Sequence, residues 1–179
     1  MTYLSGYTGE RILADSLLAA GCKPVLFNSI TLIETACSFE IGVNRFIKAL
    51  PAFLYQYGHL LKNQPLDLAN IPDRQINYIL NLFHWYKIPA SIIIDWIFGC
   101  DCIFNYHGYI LGFDSTTRKS AVLEKSLKAY QGKLKPLWQE IGLDYFAIAF
   151  VKSSSPPPRE KIKPVLSQVI KGKCDLIEI

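Results

Sequence analysis

The sequence predicts an α/β fold in which a small mixed sheet is flanked by helices. Two β-rich hexapeptides separated by a two-residue turn and a later, almost uninterrupted apolar run predict the strands. Apolar residues at helical spacing predict the helices around them. With 179 residues, of which half are hydrophobic and 19% charged, the chain is long enough to bury one substantial core. We therefore expect a single domain over residues 1–179.

The first predicted element is a helix. Residues 9–21 are rich in helix-forming residues, carry apolar side chains at helical spacing and stop at a glycine, Gly21. A short apolar run over residues 24–27 follows and predicts a strand or an extended linker.

The middle of the chain predicts a helical insertion within this domain, over residues 30–95. Its leucines and aromatic residues recur at three- and four-residue spacing, and we interpret the aromatic side chains as core. Prolines mark the predicted breaks between helices: Pro51, Pro65, Pro72 and Pro89.

The next element is a β-hairpin. The hexapeptides 101–106 and 109–114 flank His107-Gly108, which is typical of a two-residue hairpin turn. Counting back from the turn places Asp101 opposite Asp114 on one face of the sheet. Directly opposed Cβ atoms lie about 4.5 to 5.5 Å apart, a distance at which like charges destabilise the sheet. We therefore expect a cation between the two carboxylates.

Helix, strand and helix are predicted after the hairpin. The hydroxyls of residues 115–117 suit a helix N-cap, and one helix is predicted from an apolar stripe formed by Leu123, Leu127, Tyr130 and Leu134. Residues 145–151 have almost no polar interruption, which is typical of a buried central strand. A basic helix over residues 159–171 is the last predicted element.

Two carboxylates facing each other form an oxygen-rich site of the kind that Mg²⁺ or Mn²⁺ prefers. Such a site suits phosphodiester hydrolysis, because phosphate oxygens of the substrate complete the coordination. The alternative is that Asp101 and Asp114 mark the ends of two strands and are solvated and inert.

The order of these elements resembles the PD-(D/E)xK nuclease superfamily. The resemblance rests on an early helix bearing Glu10, on Gly99-x-Asp101 opening the hairpin, on Asp114 in its second strand, and on a lysine-bearing helix before a buried strand. It implies a restriction-endonuclease-like fold, with Asp101 and Asp114 as the metal ligands and Glu10 as an auxiliary acid.

One position departs from that family's pattern. The family's lysine stands two residues after the second acid, where this chain has Thr116. A lysine on the following helix can take this place in some branches. With the apolar stripe as the buried face, helical geometry favours Lys119. Lys125 suits a helix that starts elsewhere, Lys128 is a third candidate, and Glu124 is an alternative acid supplied by the helix.

Charge is distributed unevenly. Residues 118–179 hold 12 Lys and Arg against 6 Asp and Glu, whereas residues 1–117 hold 7 against 9. A basic C-terminal third suits contact with a phosphate backbone, and DNA is the expected partner. A solvated lysine-rich face is the alternative.

Other chemistries and compartments are disfavoured. The pair Cys100-x-Cys102 has no second Cys/His pair at zinc-ligand spacing, and no glycine-rich phosphate loop is present. No transmembrane segment or secretory signal is predicted, so no membrane partner is expected. An odd number of cysteines, five, suits free thiols and a cytoplasmic protein.

We therefore predict a Mg²⁺-dependent endodeoxyribonuclease with Glu10, Asp101, Asp114 and either Lys119 or Lys125 in its site. Cleaving both strands of DNA usually takes two active sites, so a homodimer or higher oligomer is expected. A first alternative is a catalytically silent relative that binds nucleic acid or a partner. A second is a scaffold protein whose helical block, residues 30–95, is the functional surface.

Overall fold

The computed structural model describes residues 6–57, 89–130, 132–172 and 175–179. In chain order the elements are α1 (Gly6–Ala19), β1 (Lys23–Pro24), α2 (Ser29–Cys37), α3 (Glu40–Tyr57), α4 (Ala90–Ile93) followed by a π-helical segment (Ile94–Phe98), β2 (Cys102–Tyr106), β3 (Tyr109–Thr116), α5 (Lys119–Tyr130), α6 (Lys135–Glu140), β4 (Tyr145–Phe150), α7 (Arg159–Val169) and β5 (Leu176–Glu178). The chain divides into two compact units, residues 1–26 with 99–179 and residues 27–98.

The first unit contains a five-stranded mixed sheet in the order β1-β2-β3-β4-β5. Strands β1, β2 and β3 pair antiparallel, whereas β3, β4 and β5 pair parallel. This arrangement confirms the prediction of an α/β fold with a mixed sheet flanked by helices. Residues 147–149 of β4 are buried, as a central strand with apolar residues on both faces requires.

The hairpin has the register that its turn predicts. Five pairs form, from Tyr106 opposite Tyr109 to Cys102 opposite Phe113. The two turn residues both have positive φ, 53° at His107 and 93° at Gly108. Positive φ at both central positions is the geometry of a type I′ turn, which matches the twist of the strands.

The open end of the hairpin differs from the prediction. Asp101 lies just before β2, and its backbone N–H donates a hydrogen bond of 2.7 Å to the carbonyl of Phe113. In the register of the five pairs, Asp101 would lie opposite Asp114. Its hydrogen bond to Phe113 is shifted by one residue, so the regular ladder stops at Cys102. Asp101 is therefore not the ladder partner of Asp114, and its carboxylate is held in another way, described below.

The predicted single helix after the hairpin is in fact two helices. Helix α5 ends at Tyr130, Gly132 has a positive φ of 66°, and Leu134 lies at the start of α6. Leu123, placed by the sequence on the buried face, is 66% exposed. The side chains of Leu127 and Tyr130 lie outside the described residues.

The sheet has one strand that the sequence did not predict. Beyond α7, residues 176–178 form β5 and pair with β4 in parallel, with Leu176 opposite Ile148. Three residues are too few to show an alternating pattern, so this strand had no usable sequence signal. The predicted basic helix is present as α7, but it is not the last element.

Helix α1 supplies a large part of the core of the first unit. Its residues Ile12, Leu13 and Leu17 pack with side chains of β2, β3, β4 and α7. Gly21, which has a φ of 94°, follows the end of this helix.

Truncating one of these core side chains tests this packing. We expect Leu17→Ala to lower the free energy of unfolding by about 2 to 5 kcal/mol, because a fully buried leucine leaves a cavity. The neighbouring Leu18 is 49% exposed, so Leu18→Ala should cost less than about 0.5 kcal/mol. Urea denaturation measures both, and equal losses would contradict the burial of this face.

The second unit is helical in its described part. Asn28 caps α2 by accepting a hydrogen bond from Ile30 N at 2.8 Å, and Arg45 of α3 donates to the carbonyls of Trp96 and Ile97. Pro51 lies inside α3, where the sequence predicted a break. Residues 58–88 of the predicted insertion, with Pro65 and Pro72, lie outside the described residues. Across the described ranges, no helix combines the length and apolar character needed to span a membrane.

Candidate active site

Two carboxylates and one lysine lie at the open end of the hairpin, and a third carboxylate interacts with them electrostatically. Asp101 precedes β2, Asp114 lies in β3, Glu10 lies in α1, and Lys125 lies in α5. Helix α1 approaches β3 closely because Gly9 has no side chain. A Cβ at position 9 would lie 2.8 Å from Cγ2 of Thr117, directly after β3.

Asp101 is held by Ser115. Its Oδ2 accepts hydrogen bonds from the backbone N–H of Ser115 at 2.6 Å and from the Ser115 hydroxyl at 2.5 Å. Ser115 is buried at the end of β3, so these donors are rigidly placed. The hydrogen bonds fix the Asp101 carboxylate beside β3 even though the backbone ladder has ended.

Lys125 reaches the same point from α5. Its Nζ forms an ion pair and hydrogen bond with Oδ1 of Asp114 and donates a second hydrogen bond of 2.5 Å to the carbonyl of Ser115. The two side chains are only 23% and 20% exposed, so water screens this pair less than a surface pair. Ser115 therefore connects the site, since its carbonyl holds the lysine while its N–H and hydroxyl hold Asp101.

Glu10 belongs electrostatically to this cluster. Partial burial, then the negative charges of Asp101 and Asp114, raise the pKa of Glu10, while the positive charge of Lys125 partly offsets the increase. Negative charge thus accumulates here beyond what one lysine neutralises. Such a potential attracts cations.

The raised pKa of Glu10 predicts a pH-dependent cost in stability. The folded state holds the Glu10 proton more tightly than the unfolded chain, so stability falls as the pH rises from the ordinary value of 4.5 through the raised one. We expect Glu10→Gln to match the wild type near pH 3 and to be more stable at pH 7 by less than about 1 kcal/mol, since solvent screens a partly exposed group.

Urea denaturation in EDTA at the two pH values measures this difference. A Glu10→Gln variant that is less stable than the wild type at pH 7 would show that the ionised carboxylate is not under repulsion.

The structure separates the lysine candidates. Lys119, favoured by helical geometry, is exposed at the first residue of α5, whereas Lys125 contacts Asp114. The helical geometry that favoured Lys119 assumed that Leu123 lies on the buried face, whereas Leu123 is exposed. Glu124 is exposed on α5, and the side chain of Lys128 lies outside the described residues.

One residue of the site, Ser115, has a role that the sequence did not predict. The hydroxyls of residues 115–117 predict helix capping. Thr116 Oγ1 does accept a hydrogen bond from Arg118 N at 3.2 Å, just before α5, but Ser115 instead binds Asp101 and Lys125. A serine directly after an acid in a buried strand is the only sequence signal for this role.

The donor chemistry fits a small hard cation held by two carboxylates. Mg²⁺ is commonly bound by one or two carboxylates, with water and substrate phosphate oxygens completing its coordination. Asp101 and Asp114 supply such a pair, and the negative potential at Glu10 favours a cation nearby. Over residues 6–57, 89–130, 132–172 and 175–179, no group of three or more His, Cys, Asp or Glu side chains could hold a metal ion.

The neighbouring thiol, Cys102, is protonated in the absence of a metal. Burial, then the charges of Asp101 and Glu10, raise the pKa of Cys102 well above its ordinary value of 9.0. The thiolate, which is the form that binds zinc, is therefore disfavoured. Cys100, the other member of the pair, is buried.

Comparisons of this chain with family models, curated proteins and solved structures found no match. Function is therefore inferred from the chemistry of the carboxylates and Lys125.

Proposed function

We propose that the chain is a metal-dependent endonuclease that hydrolyses DNA phosphodiester bonds at the cluster of Glu10, Asp101, Asp114 and Lys125. The observation that carries this proposal is the contact of Lys125 with both Asp114 and Ser115, next to the carboxylate held by Ser115. A lysine kept among carboxylates at a partly exposed position is the combination that phosphodiester hydrolysis uses.

Each residue has a distinct task in this proposal. Asp101 and Asp114 would hold Mg²⁺ or Mn²⁺, which supplies Lewis acidity toward a phosphoryl oxygen when bound. The ammonium of Lys125 would offset charge that develops on the phosphoryl group and orient the attacking water. Glu10, whose pKa is raised, would accept a proton at the edge of the site.

The fold supports this assignment. The resemblance to the PD-(D/E)xK superfamily implies a helix with an acid, then a hairpin with two acids, then a lysine-bearing helix and a buried strand. The chain has α1 with Glu10, β2 and β3 with the two aspartates at their open end, α5 with Lys125, and β4. The lysine that is missing at Thr116 would be replaced from α5.

DNA is the proposed substrate because the basic residues are concentrated in the C-terminal third, with 12 Lys and Arg against 6 Asp and Glu over residues 118–179. A homodimer, in which two sites cut opposite strands, remains part of the proposal.

Cleavage of plasmid and linear double-stranded DNA tests the proposal. Purified protein is incubated with Mg²⁺ or Mn²⁺, beside an EDTA control and an Asp101→Asn variant. We expect metal-dependent nicking or linearisation that the variant lacks, because the amide cannot replace the anionic ligand. DNA that stays intact while the protein binds it in a salt-sensitive way would favour the silent, nucleic-acid-binding alternative.

A further inference from the structure

A concave site, separate from the carboxylate cluster, lies in the same unit at the closed end of the hairpin. It is a cavity of about 370 Å³, bordered by the end of α1, the hairpin turn and the start of α7. Three cationic side chains line it, Lys23, Arg159 and Lys163, and no acidic side chain among the described residues does.

These three cations come from two elements, β1 and α7. Lys23 lies in β1 opposite Asn105, whereas Arg159 and Lys163 lie four residues apart on α7. In the part of the chain that the structure describes, none of the three makes an ion pair. Like charges four residues apart on a helix repel each other. A bound anion would relieve this repulsion.

Asn105 adds a neutral donor to the same cavity. Its Oδ1 accepts a hydrogen bond of 3.1 Å from the backbone N–H of Gly108, which closes the hairpin turn. With Oδ1 engaged by Gly108, the NH₂ group is the remaining polar group of Asn105, a residue that lines the cavity. Cations and an amide donor around one open cavity are typical of phosphate recognition.

We propose that this cavity binds a backbone phosphate of the DNA on which the carboxylate site acts, an inference that rests on the proposed function. Two lengths along the backbone, one of a strand and one of a helix, give the separation between the carboxylate cluster and this cavity. Five residues of β2 and its flank separate Asp101 from Tyr106, about 17 Å along a strand. Ten residues of α1 separate Glu10 from Ala20, about 15 Å along a helix. At 3.4 Å per base pair, the second contact lies about four to five base pairs from the phosphate that is cut.

The test is the salt dependence of DNA binding, measured by fluorescence anisotropy with a labelled duplex in EDTA, where no cleavage occurs. The site variant is Arg159→Gln/Lys163→Gln, with Lys23→Gln as a second variant from a different element. The matched control is Lys161→Gln/Lys171→Gln, which removes the same charge from exposed positions that do not line the cavity.

We expect the slope of log Kd against log salt to become shallower by about 1 in the site variant and by no more than that in Lys23→Gln, since loss of the one phosphate contact reduces it by about 0.9. The control should change the slope by less than half as much as the site variant. Thermal melting confirms that all variants are folded.

Equal losses in the site variant and the control would overturn the inference, because they indicate a diffuse basic surface. Absence of DNA binding by the wild type would also overturn it. Inorganic phosphate that raises the melting temperature of the wild type alone, with no change of DNA slope in the variants, would assign the cavity to a small free phosphate compound instead. Since these measurements need no catalysis, inactive carboxylates leave their outcome unaffected.

Discussion

Replacing Lys125 with methionine should reduce the rate of DNA cleavage by about 10² to 10³-fold, the usual cost of removing one group that stabilises developing charge. Lys125 donates to Asp114 and to the carbonyl of Ser115, so its ammonium is held at the carboxylates. Methionine keeps the length and apolar stem of the side chain and removes only the charge and its hydrogen bonds.

Lys119→Met is the matched control for this prediction. Lys119 lies on the same helix and carries the same charge, but it is exposed at the first residue of α5. We expect its cleavage rate to stay within about twofold of the wild type, since surface charges contribute little to a distant centre. A larger loss in Lys119→Met than in Lys125→Met would show that the other lysine completes the site.

Asp114→Asn should have the largest effect, a loss on the order of 10⁴-fold in cleavage rate, as expected when a member of an interdependent catalytic set is removed. The substitution removes a proposed metal ligand and also the anion that holds Lys125 in place. Single-turnover cleavage at saturating enzyme measures the chemical step separately from DNA binding.

The double variant Asp114→Asn/Lys125→Met shows whether these two residues act together. If they form one unit, the double variant should be no slower than Asp114→Asn alone. Losses that multiply would indicate that the ammonium and the carboxylate act independently, and would remove the contact between them from the mechanism.

The hairpin could be predicted from the sequence because its register depends on local information. A two-residue turn at His107 and Gly108 determines every pair that follows, and five pairs form as counted. The prediction failed one step further on, at Asp101, where a hydrogen bond to Phe113 ends the ladder. Nothing in the local pattern indicates that shift, because it depends on Ser115 offering two donors to the Asp101 carboxylate.

The placement of Lys125 and the formation of strand β5 could not be predicted, because both depend on tertiary packing. The helical pattern of α5 placed Leu123 on the buried face because the spacing of apolar residues does not show which of them stay exposed, and Leu123 is exposed. Strand β5 has only three residues, and it forms because these residues pair in parallel with the edge of β4. Neither the edge nor the reach of Lys125 can be inferred from periodicity within one segment.

The most direct test of the metal-dependent site is binding of Mn²⁺, monitored by electron paramagnetic resonance of the free ion. It needs no knowledge of a target sequence, so a highly specific enzyme would still respond. The wild type should bind Mn²⁺ when DNA is present. Under the same conditions, Asp101→Asn and Asp114→Asn should bind Mn²⁺ at least about 10-fold more weakly. Mn²⁺ binding that is equal in the wild type and both variants, or absent from the wild type even with DNA, would contradict a metal-dependent site at these carboxylates.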